Sequence, residues 1–386
     1  MNNSPLQSFH PVIADWFSDA FGQPTDVQVR AWASIQEGQH TLIAAPTGSG
    51  KTLAALLPCL NNVVLGKIQP SKPRAGVRVL YLSPLKALNN DVHYNLVSFI
   101  EAIDRSAAVR EPNWPGIRCA VRTGDTPSSQ RASMAKRPPD VLLTTPESLY
   151  ILLTSEQGRA MLRTIQYVVV DEIHDLASDK RGAHLSLSLE RLAELCDQPF
   201  QRIGVSATQK PMWRVARFLG GWQPATNEPF DTSDSAEVEM PSDADDDERL
   251  PHPLGYVPRQ VAVIESAMTK AMQVLVTMPD LSKPMTTREA IWQPLLQRLF
   301  ALMEGCRTVL IFVNSRRLCE RVCLRLNDAA GFELSRAHHG SLAKERRLEA
   351  ERMLKSGELR CIVATSSLEL GIDVGHVDLV IQIDSP

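Results

Sequence analysis

The sequence predicts an α/β protein built as two parallel-sheet halves in tandem. Three observations predict it. Short apolar runs recur along the chain, each closing in a turn of Ser, Thr, Gly or charged residues before a helical period. One such unit, Thr41 to Thr52 (TLIAAPTGSGKT), has the strand, small-residue turn and helix that a phosphate-binding loop requires. An acidic, Pro-containing stretch then divides the chain, with a first domain expected over 1–220, an acidic mobile linker or insert over 221–254, and a second domain over 255–386.

Composition sets the bounds. At 386 residues the chain exceeds one ordinary domain, and its 44% hydrophobic content supports sizeable cores. The net charge is −3, but ten Asp or Glu and one Arg fall between Trp222 and Arg249. The rest of the chain is therefore mildly basic, which suits a polyanionic partner. Seven scattered cysteines, several in apolar runs, read as reduced buried thiols of a cytoplasmic protein. No signal peptide or membrane-spanning run is recognisable, so no membrane partner is expected.

The opening segment alternates aromatics with a turn at Gly22-Gln23-Pro24, and Thr25 or Asp26 can cap the next helix. Gln28 lies one turn into it. Its amide can both donate to and accept from an adenine edge, and Phe21 can stack on a base. In the phosphate loop, Thr47, Gly48, Ser49 and Gly50 turn backbone N–H groups towards one point. Lys51 brings positive charge to the β- and γ-phosphates, and Thr52 offers a hydroxyl to Mg²⁺. Ala45 stands where the usual pattern has its first glycine.

Further strands at 78–82, 119–121 and 141–143 end in SPLKAL, RTGD and TTPESL. In open α/β sheets ligands bind at the carboxyl ends of strands. Hydroxyls, basic side chains and helix N-termini there hold phosphates of a nucleic-acid backbone, so Pro84, Lys86, Arg122, Thr123 and Thr145 are candidates for a strand track. The buried strand at 165–170 delivers Asp171-Glu172-Ile173-His174. Asp171 suits Mg²⁺, Glu172 suits orienting or deprotonating a water, and His174 can relay to neighbouring loops. One strand later, Ser206-Ala207-Thr208 is placed to bridge the nucleotide site and an adjoining domain.

The second half repeats the scheme. Strands are expected at 261–264, 273–276, 308–313, 361–364 and 377–383, with a helix over 291–303. The turns carry Asn314 and Ser315, His338 and His339, then Thr365, Ser366 and Asp373, the last able to accept from a ribose hydroxyl. The paired histidines lack a third ligand at zinc spacing, so a loop at a domain interface is expected there.

The ordered set PTDVQ, APTGSGKT, SPLKAL, RTGD, TTPESL, DEIH, SAT, FVNS, HHGS and ATSSLELGID resembles a superfamily 2 DEAD/DEAH-type helicase with two RecA-like domains. The last three blocks are similar to the large helicase-related (Lhr) family of bacterial DNA helicases. The resemblance implies ATP-driven, 3′-to-5′ movement along single-stranded or tailed duplex nucleic acid, DNA rather than RNA, with ATP and Mg²⁺ as cofactors and a place in DNA repair. It implies that Gln28 reads adenine, that Gly48, Gly50, Lys51 and Thr52 bind phosphates and Mg²⁺, and that Asp171 and Glu172 are metal ligand and base. Ser206 and Thr208 would couple hydrolysis to movement, and Thr145, Thr365 and Ser366 would touch the strand. A later arginine-finger motif of this family is not reached, which implies a second domain incomplete at its C-terminus. Two alternatives stay open: a binding module with little turnover, and an RNA helicase.

Overall fold

The computed structural model describes residues 5–46, 48–68, 76–84, 86–177, 180–207, 210–225, 255–266, 273–280, 291–365 and 377–384. Thr47, Thr208, Ser366, Asp373 and the acidic stretch at 226–254 lie outside this set, as does the side chain of Lys86. The chain forms two compact units, Met1–Lys270 and Ala271–Pro386.

The first unit runs α1 (Pro11–Phe21), α2 (Asp26–Gln36), β1 (Thr41–Ala44), α3 (Lys51–Ile68), β2 (Val79–Leu82), α4 (Lys86–Arg110), β3 (Cys119–Arg122) and α5 (Ser128–Lys136). It continues with β4 (Val141–Thr144), α6 (Pro146–Thr154), α7 (Glu156–Leu162), β5 (Tyr167–Val170), α8 (Ile173–Ala177), α9 (Lys180–Leu195) and β6 (Gln201–Ser206). It closes with α10 (Met212–Gly220), β7 (Trp222–Pro224), β8 (Tyr256–Pro258) and β9 (Ala262–Glu265).

Seven strands make one sheet in the order β3-β4-β2-β5-β6-β1-β9, and every pairing in it is parallel. Parallel strands bury both faces, which is why these runs are apolar throughout rather than alternating. Successive side chains still point to opposite faces. Ile43, Val79, Tyr81, Val141, Leu143, Val169 and Ile203 meet α1 to α4 in one core. Leu42, Leu80, Leu82, Leu142, Val168 and Val170 meet α6 to α10 in the other. Trp32 and Phe17, each 1% exposed, anchor the first core with rings 5.2 Å apart at 84°.

The strand expected at 261–264 is present but belongs to this first sheet, where β9 runs beside β1 with Thr41 opposite Ala262. The second unit therefore starts later than residue 255. A short antiparallel pair, β7 with β8, flanks the acidic stretch.

The second unit contains α11 (Trp292–Met303), β10 (Val309–Val313), α12 (Arg316–Ala330), β11 (Ser335–His338), α13 (Lys344–Ser356), β12 (Cys361–Ala364) and β13 (Leu379–Ile383). Its sheet is parallel, in the order β11-β12-β10-β13. Val309, Ile311, Cys361 and Val363 pack on α11 and α12, while Leu310, Ile362 and Ala364 pack on α13. The expected strand at 273–276 is not one. That segment has no regular structure, and Val274, Leu275 and Val276 are 76%, 64% and 92% exposed. A β-prone run stays irregular without a neighbouring strand to complete its ladder.

Candidate active site

Because the first sheet is wholly parallel, the ends of β1, β2, β3, β4, β5 and β6 open on one edge. The turn after β1 is shaped by glycine: Gly48 and Gly50 have φ of +81° and +82°, the left-handed region that costs other residues. A Cβ on Gly50 would also lie 2.5 Å from the Gln28 Nε2 atom. The side chain of Ser49 is buried with its hydroxyl unpaired, and the loop leads directly into the N-terminus of α3. A cradle of this kind, with an orphaned hydroxyl and a helix N-terminus, fits an anionic ligand.

Gln28 is 4% exposed and fastened from both ends of its amide. Its Oε1 accepts from the Thr25 N–H at 3.0 Å, and its Nε2 donates to the Gly50 carbonyl at 3.4 Å. Thr25 returns the bond to the Gln28 N–H, completing a capping box on α2. Phe21, 46% exposed, rests edge-on against Trp16 and beside Phe17 and Phe99.

Lys51 is 8% exposed, and its Nζ donates to the Ser206 carbonyl at 3.3 Å. Burial lowers its pKa, while Glu172 and Asp171 pull the other way. Thr52 follows at the start of α3, partly exposed. Asp171 is buried at the end of β5. Burial raises its pKa to about 6, against the Tyr81 hydrogen bond, which stabilises the charged form. Its Oδ1 accepts from the Glu172 N–H at 3.0 Å. Glu172 has φ of +43°, a strained value for a side chain with a Cβ, and burial raises its pKa as Lys51 lowers it. His174, on α8, places Nδ1 at 3.2 Å from Ser206 Oγ, 3.4 Å from the Ala207 N and 3.5 Å from Glu172 Oε2. Burial lowers its pKa first, with Asp175 opposing. The structure thus brings Lys51, Asp171, Glu172, His174 and Ser206 together.

The other loops on this edge are held more tightly than sequence suggests. Thr145, 4% exposed, spends its hydroxyl on the Ser148 N–H and Oγ as the cap of α6. Thr123 accepts from the Asp125 N–H at 3.3 Å, and its own N–H donates to Thr126. Pro84 is buried, and Lys86 begins α4. Arg122 has its pKa lowered by burial and then by the positive charge of Arg131, so that corner favours an anion.

In the second unit Ser315 caps α12 through the Leu318 N–H, and Asn314 donates to the Asp384 carbonyl. His339, 5% exposed, pairs with Glu320 at 2.7 Å, and His338 with Glu351 at 2.9 Å. The Nε2 atoms are thus held by glutamates of α13 and α12, while His339 Nδ1 is buried without a partner among the described residues. Thr365 follows β12 and donates its N–H to the His338 carbonyl. All seven cysteines are free thiols, and among the described residues no helix is long and apolar enough to cross a membrane. Sequence reading missed Tyr81 and Arg181, whose partners come from distant strands and helices.

Residues 25–214 match the DEAD/DEAH box helicase family and residues 293–386 the helicase conserved C-terminal domain. Two parallel sheets bearing these motifs make the tandem RecA-like architecture, and the chain belongs to the DEAD/DEAH-box helicases. Within that family it is similar to Lhr. It is 40% identical over 413 residues to the Lhr helicase/uracil glycosylase of Escherichia coli, covering 98% of this chain and 25% of that protein. With the ATP-dependent helicase Lhr-Core of Methanothermobacter thermautotrophicus it shares 40% over 385 residues, covering 98% and 40%. The solved structure of Mycobacterium smegmatis helicase Lhr bound to ssDNA and AMP-PNP superposes with a TM-score of 0.77 and 42% identity, covering 100% of this chain and 45% of that one. The DEAD-box helicase Mss116 bound to ssRNA and UDP-BeF, at 16% identity and a TM-score of 0.67, shares the fold. The chain spans about a quarter to two fifths of these curated Lhr relatives.

Proposed function

We propose that this chain is the ATP-hydrolysing core of a DNA helicase that moves along a single strand. The observation that carries the reading is the meeting of Lys51 with Asp171 and Glu172 beside a glycine cradle, on one edge of a parallel sheet. Gly48, Ser49, Gly50 and the Lys51 Nζ would hold the phosphates of ATP, with Thr47 in the same loop. Gln28 and Phe21 would meet the base, and Asp373 the ribose. Thr52 and Asp171 would hold Mg²⁺, which when bound neutralises charge on the phosphate oxygens. Glu172 orients the attacking water and accepts its proton. Ser206, Thr208 and His174 link that chemistry to the loops that follow.

A strand would run over Pro84, Lys86, Arg122, Thr123 and the N-terminus of α6 at Thr145. In the second unit it would meet Asn314, Ser315, Thr365 and Ser366. His339 would join them: its Nε2 pairs with Glu320, and its Nδ1 has no partner among the described residues. Movement from 3′ to 5′, a place in DNA repair and a cytoplasmic setting rest on the resemblance to Lhr. DNA is favoured over RNA because the solved Lhr structure that shares 42% of this sequence holds ssDNA.

The test is steady-state ATP hydrolysis with and without single-stranded DNA, beside Lys51→Ala. Stimulation lost in the variant supports the motor. Background turnover with both ligands still bound reduces the chain to a binding module. Greater stimulation by RNA of the same base sequence overturns the DNA reading.

A further inference from the structure

Arg181 is the second residue of α9, in a segment where no catalytic motif was read. Its guanidinium reaches two separate loops. Nε donates to Glu147 Oε1 at 2.7 Å, in the first turn of α6, and Nη2 donates to the Pro84 carbonyl at 2.7 Å, just past β2. These are the two loops that follow neighbouring strands β2 and β4 on the ligand edge. The planar fork of arginine suits such a bridge, because its N–H groups point in fixed, different directions.

The same residue sits at the end of a short rigid path from the carboxylates. Asp171 and Glu172 lead directly into α8, whose His174 lies against Ser206 and Ala207. The far end of α8 then meets the start of α9 at very close range. A Cβ on Gly182 would fall 1.8 Å from the Leu176 carbonyl oxygen, so only glycine allows that approach. Arg181 is the residue immediately before Gly182. Farther along α9, His184 packs against Tyr150 of α6 with centroids 4.7 Å apart and the rings tilted at 58°, and Arg191 lies over the same tyrosine ring at 5.5 Å. These contacts give a displacement of α8 a route to α9, and through Arg181 to both loops.

We infer that Arg181 is a positioning residue that transmits the state of the nucleotide site to the two strand-binding loops, by holding the Pro84 carbonyl and Glu147 against the helix pair that follows Asp171 and Glu172. The ion pair with Glu147 is itself exposed, at 39% and 53%, and such a pair alone contributes little to stability. Here one end of the bridge is a main-chain carbonyl, the other a carboxylate on a different element, and the base of the bridge is locked by Gly182. Glu147 itself is held below the usual carboxylate range: burial pushes its pKa up, but the Arg181 and backbone hydrogen bonds outweigh it.

The inference rests on the proposed strand track, and the experiment separates the two. Binding of a fluorescent single-stranded DNA is measured at several salt concentrations, with and without a non-hydrolysable ATP analogue, for the unaltered chain, Arg181→Ala, Arg181→Lys, Glu147→Ala, the Arg181→Ala/Glu147→Ala pair and Arg122→Ala. The expected result is that Arg181→Ala cuts the nucleotide-dependent change in strand affinity by about five- to tenfold, within the usual range of coupling between sites. Arg181→Lys, able to keep one of the two bonds, falls between, and decides the matter if the alanine variant does not fold. Glu147→Ala behaves as a weaker Arg181→Ala, and the pair is no worse than Arg181→Ala alone. The slope of affinity against salt stays unchanged.

Full coupling in Arg181→Ala or Arg181→Lys overturns the inference. So does a slope reduced by ~0.7, which marks Arg181 as a direct phosphate contact. If Arg122→Ala also leaves strand affinity and slope untouched, the strand track itself has failed.

Discussion

The Tyr81 hydroxyl donates to Asp171 Oδ2 at 2.5 Å, with the tyrosine wholly buried and the aspartate 4% exposed. The two belong to adjacent strands, and the Asp171 N–H also donates to the Leu82 carbonyl at 2.8 Å. One carboxylate oxygen is thus held by the sheet, while the other accepts from the Glu172 backbone. Tyr81→Phe removes the donor and leaves a buried oxygen unpaired, which costs about 1–3 kcal/mol. We expect a lower melting temperature together with weaker, more Mg²⁺-demanding nucleotide binding. Measuring nucleotide affinity across a Mg²⁺ titration checks this; an unchanged Mg²⁺ dependence would show that Tyr81 only fills space.

Glu172 bears backbone strain at φ +43°. Glu172→Gln keeps that strain and the side-chain shape, so ATP binding should persist while hydrolysis stops. Glu172→Gly releases the strain, and should raise stability by about 1 kcal/mol while also stopping hydrolysis. Melting temperature and turnover, read on both variants, test the pair. A destabilised glycine variant would refute the strain, and retained turnover in the glutamine variant would refute the base.

His40 is an acid-sensitive point of the first unit. Its Nδ1 accepts from the Arg202 N–H at 3.0 Å. Burial, then Arg202 and Arg259, lowers its pKa to about 4. The unfolded chain therefore takes up the proton first as pH falls from ~6.5. The stability present above that value is lost between ~6.5 and ~4, by at most ~3 kcal/mol. His40→Asn, which keeps an acceptor but does not titrate, should flatten the melting temperature between pH 7 and pH 5. An equal decline in both proteins removes His40 as the cause.

The strand track predicts a salt dependence. With about five phosphates held, log affinity should fall against log salt with a slope near −3.5, and Arg122→Ala should reduce that slope by about 0.7. Fluorescence anisotropy across a salt series measures both. A slope near zero excludes a phosphate track.

The candidate site is legible in the sequence wherever chemistry and local order coincide. The run TLIAAPTGSGKT carries strand, turn and helix in consecutive residues, and VVVDEIH carries a buried strand with its carboxylates. Relations between distant segments were not legible. An apolar run such as Ala262–Glu265 does not state which sheet it joins, because its partner β1 is set by tertiary packing. Tyr81 and Asp171 are 90 residues apart, and nothing local to either marks the bond. Thr145 and His339 have the right chemistry for a strand, yet the Thr145 hydroxyl also caps α6 and the His339 Nε2 also pairs with a glutamate. A hydroxyl or imidazole in a motif carries no sign of whether its bonds are already spent on its own loop.

The pairing of β7 with β8 has a practical side. Trp222 lies opposite Pro258 and Pro224 opposite Tyr256, so the acidic stretch enters and leaves the first unit at neighbouring points. The paired ends keep entry and exit together, since each doubling of the length between two such points adds only about 0.6 kcal/mol to the cost of closing them. This makes the β7–β8 junction a permissive port: a fluorophore-bearing peptide or a small reporter domain can be spliced in there, giving a handle for testing the proposed motor in single-molecule work.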